Sequence, residues 1–242
     1  MSLLADLRNA VRAAVRDGLR SRAPLPPALE DRLQALTELS PPPTRNPHSR
    51  SRYVTVDVET TGIDMHRDQL VSIGAVAVEG GTIDLSACFE LVVRQDASSS
   101  HDNILIHRIG GQRQLAGIER GEALIAFMEY VGHAPLVAYR AEFDRTVLDR
   151  ALKETLGIRT MSRWIDLADL LPALYPGNEN RTMDDWLATM GIGMIARHDA
   201  LADALATAQM LQVCLVKADA LEMRCPQQLI EMTQAQHWLG KR

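Results

Sequence analysis

A chain of 242 residues with 46% hydrophobic and 24% charged residues has room for one sizeable domain with appendages or for two small ones. Its net charge of −5 argues against a protein that coats nucleic acid through bulk electrostatics. The sequence has no secretory signal and no apolar run long enough to cross a bilayer, and its three cysteines lack metal-ligand spacing. These features predict a cytoplasmic protein.

The first 50 residues differ in charge from the rest. They hold eight arginines against five acids, net +3, which leaves −8 for residues 51–242. Apolar stripes predict a helix over residues 3–21 and a second one with Leu29, Leu33, Leu36 and Leu39 on one face, before a proline-rich linker. We expect this hairpin to dock on its own domain or on a partner. A transit peptide fits poorly because Asp6 and Asp17 are present, and a basic face for nucleic acid is a further alternative.

From residue 52 the pattern changes to strands. The sequence predicts strands over residues 53–60, 69–78 and 83–93, with a tight hairpin at Gly80-Gly81 between the last two. A polar loop and a short segment over 104–109 follow. Helices are then predicted over 121–131, 143–156 and 199–218, near residues 174 and 186 and after Pro226, with short strands at 136–139 and 164–165. This order predicts a mixed sheet with helices on its faces.

Alternation along the first strand separates its side chains. Val54, Val56 and Val58 share one face, and Thr55, Asp57 and Glu59 share the other. Two carboxylates one residue apart on the same face repel each other unless a positive charge lies between them. The alternative is an ordinary amphipathic strand whose polar face lies in water.

Two further acids lie in apolar patterns. Asp144 precedes the apolar stripe of its helix by one turn and so faces the buried side, although an acid in a first helical turn is also favoured by the helix dipole. Asp203 stacks with Thr207, Met210 and Cys214, where a lone carboxylate requires a metal or an ion pair with Arg197 or Arg145.

His198 lies five residues before Asp203, at the start of that helix or in the loop before it. An imidazole is suited to take a proton from water near neutral pH. Four carboxylates gathered in space demand hard cations, most naturally two Mg²⁺ or Mn²⁺ ions, which hold the attacking and leaving oxygens of a phosphodiester. The sequence contains no phosphate-binding glycine loop, no Gly-x-Ser-x-Gly elbow and no zinc-like Cys/His cluster.

Three segments together resemble the motifs of the DEDDh 3′–5′ exonucleases, the family of the proofreading epsilon subunit of DNA polymerase III and of ribonuclease T. They are Asp57-Val58-Glu59-Thr60-Thr61-Gly62, residues 136–144 ending in Glu142-Phe143-Asp144, and His198-Asp199-Ala200-Leu201-Ala202-Asp203-Ala204. Shorter matches are Val71-Ser72-Ile73-Gly74-Ala75, Ile106-His107-Arg108-Ile109 and Trp164-Ile165-Asp166-Leu167. The similarity covers residues 52–217.

The resemblance implies an RNase H-like α/β fold, with a mixed five-stranded sheet flanked by helices, which we assign to residues 51–242. The apolar stripes described above add a helical extension in residues 1–50. It implies that Asp57 bridges two metal ions, that Glu59 and Asp203 complete one metal shell, that Asp144 supports the other, and that His198 is the general base. Thr60, Thr61 and His107 are the implied substrate contacts. The family's usual His-Asn is replaced by Tyr139-Arg140, and the Arg140 guanidinium is a candidate phosphate contact.

The predicted function is therefore metal-dependent 3′–5′ hydrolysis of single-stranded nucleic acid, DNA favoured, releasing 5′-mononucleotides. The alternative is a catalytically idle RNase H-like module that docks on a polymerase or another partner. Residues 1–50 are the candidate surface for such a protein partner.

Overall fold

The computed structural model describes residues 24–178 and 181–240, so the helix predicted over residues 3–21 lies outside the described residues. The strands are β1 (Arg52–Thr60), β2 (Leu70–Glu79), β3 (Thr82–Ile83), β4 (Phe89–Val92), β5 (Leu136–Ala138) and β6 (Trp164–Asp166). Their order in the sheet is β3-β2-β1-β5-β6, and β4 also pairs with β2. β1 is antiparallel to β2 and parallel to β5, and β5 is parallel to β6. β3 and β4 pair with different parts of β2 and together occupy one strand position beside it. The sheet therefore has five strand positions, which confirms the predicted mixed five-stranded sheet.

The third predicted strand is interrupted, which the sequence did not indicate. The hairpin glycines Gly80 and Gly81 have φ values of +57° and +84°, as a tight two-residue turn requires. The Asp84 carboxylate then accepts a hydrogen bond of 2.9 Å from the Ser86 backbone N–H and begins a short 3₁₀ turn over Leu85–Ala87. Such side-chain-to-backbone bonds compete with strand pairing, so the edge strand resumes only at Phe89.

Nine helices are described. They are α1 (Pro27–Glu38), α2 (His101–His107), α3 (Gly111–Leu115), α4 (Arg120–Val131), α5 (Glu142–Leu156), α6 (Leu167–Leu174), α7 (Met183–Met190), α8 (Ala200–Ala220) and α9 (Pro226–Gly240). The sequence predicted a polar loop over residues 98–101 and gave the segment 104–109 no secondary structure, whereas a helix already begins at His101 and ends at His107. The Ser100 hydroxyl accepts a hydrogen bond from the Asn103 N–H and caps a helix there.

The two faces of the sheet carry separate cores. Val54, Val56 and Val58 pack with α1, α4 and α5, whereas α6, α7, α8 and α9 pack on the opposite face. Leu33 and Leu36 of α1 are buried in the first core, and Arg32 makes two hydrogen bonds of 2.8 and 2.7 Å to the Glu129 carboxylate of α4. The second N-terminal helix therefore docks on its own domain.

Helix α8 packs against β1 and β2. It is the one described helix whose length and composition, with a mean hydropathy of 1.2, would suit a membrane span. However, 56% of that apolar stretch is buried inside the protein, as in the core helix of a folded domain.

Candidate active site

The carboxyl-terminal half of β1 presents two carboxylates toward α8. Asp57 and Glu59 are half-buried and alternate with the buried Val56 and Val58, as strand geometry dictates. Neither carboxylate has a hydrogen-bond or ion-pair partner within residues 24–178 and 181–240. Two partially desolvated acids without partners are unfavourable, and they are typical of a site that takes a cation.

The start of α8 brings a third carboxylate to them. The Thr55 hydroxyl donates a 2.8 Å hydrogen bond to the Ala204 carbonyl, which fixes the helix against β1. Gly74 pairs with Asp57 in the β1–β2 ladder, and a Cβ at this glycine would lie 2.1 Å from the carbonyl carbon of Ala200. Only glycine permits this approach. As a result, oxygens of Asp57, Glu59 and Asp203 lie within 4.8 Å of one another.

Asp144 reaches the site from the other side of the sheet. It lies in the first turn of α5, is 5% exposed, and its Oδ1 accepts a 3.1 Å hydrogen bond from the Val58 backbone N–H. It stands outside the set of three but next to it, and its charge acts on Asp57. The structure therefore brings all four sequence-predicted carboxylates to one end of β1.

The electrostatics follow from burial and like charge. Desolvation, then the charges of Asp144, Asp203 and Glu59, raise the pKa of Asp57 well above its ordinary value. Desolvation, with Asp203 next, raises the pKa of Glu59 to about 7. Desolvation raises the pKa of Asp144 to about 8, opposed by hydrogen bonds from backbone N–H groups including that of Val58. Desolvation also raises the pKa of Asp203.

Arg197 and His198 flank Asp203. The Arg197 guanidinium lies 3.1 Å from Asp203 Oδ1 and 3.8 Å from Asp184, and the His198 backbone N–H donates 2.9 Å to Asp203 Oδ2. The His198 residue is exposed and has a φ of +58°. Arg197 was one of two predicted ion-pair partners of Asp203; the other, Arg145, instead lies 3.9 Å from Asp149.

The donor set suits a hard divalent cation. All its ligand atoms are carboxylate oxygens, and the positive charge of Arg197 only partly opposes the raised pKa values of Asp57, Glu59 and Asp203. The Arg197 side chain that contacts Asp203 is 41% exposed. Asp57, Glu59 and Asp203 are the residues that could hold such an ion, with Asp144 adjacent.

The predicted substrate contacts Thr60, Thr61 and Arg140 differ in whether their side chains already have hydrogen-bond partners. Both threonine hydroxyls donate within the loop after β1, Thr60 to the Gly62 carbonyl and Thr61 to Asp68 Oδ1 at 3.1 Å. Arg140 is exposed, with a φ of +59°, and its guanidinium has no partner among the residues that the structure describes.

The interpretation of His107 as a substrate contact finds no support. Its ring is 3% exposed, with Nε2 3.2 Å from the Ser99 hydroxyl and Nδ1 accepting from the Ile109 N–H at 3.0 Å. Both ring nitrogens are thus used inside the segment 99–109, and a substrate contact through His107 stays a prediction.

Asp166 is a residue whose role sequence reasoning missed. Its carboxylate accepts hydrogen bonds of 2.9 Å from the backbone N–H groups of Arg140 and Ala141, and one of 2.8 Å from that of Ala168. It thus caps α6 and holds the loop that leads into Asp144. An acid directly after a predicted strand and before a helix is an N-cap signal, but the link to residues 140 and 141 is visible only in three dimensions.

The fold and the acidic cluster together define an RNase H-like exonuclease. The profile of the RNase T family, described as "Exonuclease", matches residues 54–211, and the chain belongs to this family. The family is one of exonucleases, which are phosphodiester hydrolases.

Similar proteins include DNA polymerases III of the PolC type. The chain is 30% identical over 180 residues to DNA polymerase III PolC-type of Clostridium perfringens, covering 71% of this chain and 12% of that protein. It is 29% identical over 160 residues to the PolC-type enzyme of Bacillus subtilis, covering 66% of this chain and 11% of that protein. The chain thus spans about a tenth of the length of these relatives.

Solved structures share the fold. Exonuclease X in complex with 5′-overhanging duplex DNA superposes with a TM-score of 0.59 at 24% identity, covering 75% of this chain and 99% of that one. E. coli Exonuclease I in complex with a dT13 oligonucleotide gives a TM-score of 0.58 at 18% identity, covering 71% of this chain and 42% of that one.

Proposed function

We propose that this protein removes nucleotides from the 3′ end of single-stranded nucleic acid, DNA preferred, in a reaction that requires two Mg²⁺ or Mn²⁺ ions. The observation that carries the proposal is the convergence of Asp57, Glu59 and Asp203 within 4.8 Å, with Asp144 beside them. When bound, such ions stabilise the charge that develops on the attacking and leaving oxygens of a phosphodiester. Family membership and the DNA-bound structural neighbours support nucleic acid as the substrate.

In this proposal the chain's own groups divide the work. Asp57, Glu59, Asp144 and Asp203 hold the cations, and the hydrogen bond from Val58 fixes the orientation of Asp144. His198, exposed on the loop before α8, takes the proton from the attacking water as general base. Its left-handed backbone lets its N–H hold Asp203 while the ring extends into solvent, where a substrate would arrive.

The loop after β1 is the proposed seat of the terminal nucleotide. The Asp68 carboxylate braces this loop through the Thr61 hydroxyl and the Asp64 N–H, and a Cβ at Gly62 would lie 2.4 Å from it. Ile63 at the tip is 94% exposed and offers an apolar surface to a nucleobase. Arg140 remains the proposed phosphate contact.

The test uses 5′-fluorescent single-stranded DNA and RNA of equal sequence, incubated with Mn²⁺ or Mg²⁺. We expect a ladder that shortens from the 3′ end and chromatographic release of 5′-mononucleotides, with no reaction in chelator. Asp203→Asn should abolish the ladder, whereas the matched change Asp219→Asn, at an exposed position on the same helix, should not.

If the purified protein degrades neither polymer with either metal, the proposal of an exonuclease is wrong, and the alternative of a catalytically idle binding module takes its place. A protein partner is then proposed at the N terminus, but the buried Leu33 and Leu36 of α1 are not available to it. The cytoplasmic location and the division at residue 50 stay predictions.

A further inference from the structure

A second concave surface lies along the free edge of the sheet, beside β6. Helix α5 forms one wall and helix α9, which packs on α6 and β6, forms the other. This α5 groove has a volume of about 1060 Å³. None of Asp57, Glu59 and Asp203 lines it, but Ala141 and Glu142 do, two to three residues before Asp144. The groove therefore begins beside the acidic cluster and is distinct from it.

The α5 groove is long enough for several nucleotides. Its lining includes residues from both ends of α5, from Glu142 to Glu154. The helix has 15 residues and so extends about 22 Å. At the 3.4 Å rise of a stacked strand this length corresponds to roughly six nucleotides, and to fewer when the strand is stretched.

Free cations lie in the part of the groove formed by the second half of α5 and the loop before β6. Lys153, Arg159 and Arg163 are exposed, and their side chains have no hydrogen-bond or ion-pair partner among the described residues. Most of the groove's acids are engaged. Asp149 accepts from the N–H and the hydroxyl of Thr160 at 2.9 and 2.8 Å. Asp166 caps α6, Asp169 lies 3.5 Å from His237, and Glu154 lies 3.9 Å from Arg150. Among the described residues, the charged groups of the lining without a hydrogen-bond or ion-pair partner are therefore three cations, Lys153, Arg159 and Arg163, and one acid, Glu142.

Aromatic surface accompanies these cations. Two of the three tryptophans in the sequence, Trp164 and Trp238, line the groove, and Trp238 is 77% exposed. An exposed indole beside unpaired guanidinium groups is the combination that binds single strands, because bases stack on the ring and phosphates meet the cations. Ser162, which also lines the groove, has a buried hydroxyl without a hydrogen-bond partner in the described part of the chain.

We propose that the α5 groove binds the single-stranded segment of nucleic acid that lies on the 5′ side of the end being cut. This inference rests on the proposed function, since it extends the substrate from the acidic cluster into the groove. The chain's own Arg-rich residues 1–23 are disfavoured as the occupant because they carry the same sign of charge as Lys153, Arg159 and Arg163.

The test compares short and long substrates. The double variant Arg159→Gln/Arg163→Gln and the single variant Trp238→Ala are assayed on a thymidine trimer and a 12-mer. Arg94→Gln/Arg113→Gln, two exposed arginines outside the groove, is the matched control. We expect KM for the 12-mer to rise about tenfold or more in the groove variants while cleavage of the trimer stays unchanged. An equal effect on both lengths, or no effect on either, overturns the groove as the strand path and leaves the proposed function standing.

Binding measured without catalysis separates the two proposals. Fluorescence anisotropy of the labelled 12-mer is followed in chelator, and the logarithm of the affinity is plotted against the logarithm of the salt concentration. The double variant should bind more weakly, with a salt slope lower by about one to two. If the wild type cuts nothing, this assay still decides: weaker binding by the groove variants supports the groove, and equal binding, or no wild-type binding, overturns it.

Discussion

The two ends of β1 differ in how their polar side chains are satisfied. At the amino end, the Arg52 guanidinium donates hydrogen bonds of 2.7 Å to the Glu79 carboxylate and of 3.1 Å to the Val131 carbonyl. The Tyr53 hydroxyl lies 2.6 Å from His48 Nδ1. At the carboxyl end, Asp57 and Glu59 have no partner among the described residues and face a third acid. The polar groups at the amino end are paired and stabilise the fold. At the carboxyl end the carboxylates repel one another, and a bound cation would reduce this repulsion.

The largest test of this contrast is Asp57→Asn. Removing the central carboxylate should lower exonuclease activity roughly 1,000-fold or more, because changes that merely support metal ligands already cost 10–100-fold. The same change removes one of the repelling charges, so unfolding by urea in chelator should show equal or higher stability. Lower stability together with retained activity would place Asp57 among the structural residues.

His198→Ala should reduce kcat by about 100- to 10,000-fold, the usual contribution of a general base, with little change in stability because the side chain is exposed. The matched change at the exposed His101 should leave kcat unaltered. His107→Ala should instead lower stability, seen as a lower urea midpoint, because it removes a buried ring that makes two hydrogen bonds. Comparable losses of kcat in His198→Ala and His101→Ala would contradict the assigned base.

The pH dependence of stability is the third test. The folded pKa values of Glu59 and Asp144, about 7 and about 8, lie above those of the unfolded chain. At pH values between the unfolded and the folded pKa, the native state therefore binds more protons than the unfolded state. In chelator, stability should therefore be highest near pH 4 and fall as pH rises toward 8, by up to about 1.4 kcal/mol per pH unit for each group. Mn²⁺ should offset the loss at the alkaline side, because it binds the ionised carboxylates. Thermal unfolding with and without Mn²⁺ measures this; a metal-free profile that rises with pH would contradict it.

Tyr53→Phe tests the amino end of β1. The substitution leaves the buried His48 Nδ1 without its partner, so unfolding free energy should fall by about 1–3 kcal/mol while kcat and KM stay at wild-type values. A change in kcat greater than the change in folded fraction would mean that the two ends are coupled.

The smallest effect is expected for Arg140→Gly. Arg140 has a φ of +59°, where a non-glycine residue is strained, so glycine should raise stability by about 1 kcal/mol. Arg108→Gly, at φ +58°, is the control for the backbone effect alone. If the Arg140 side chain contacts phosphate, KM should rise in the first variant only.

The sequence predicted those features that depend on local periodicity. Alternation placed Thr55, Asp57 and Glu59 on one face, and helical stripes placed Asp144 and Asp203 on buried sides, which the structure confirms. Periodicity did not reveal the break at Asp84, the capped helix at Ser100 or the burial of His107, because each depends on a side-chain hydrogen bond specific to its position. The α5 groove was not predicted because α5, the loop before β6 and α9 supply its lining from separate parts of the chain.

The approach of α8 to Gly74 has a consequence for biosynthesis. Asp57 and Glu59 leave the ribosome long before Asp203, and the helix that carries Asp203 must pack on β1 and β2 before the cluster is complete. Since contacts between such distant segments form late in folding, the nascent chain cannot complete the acidic cluster before the segment that carries Asp203 has been translated.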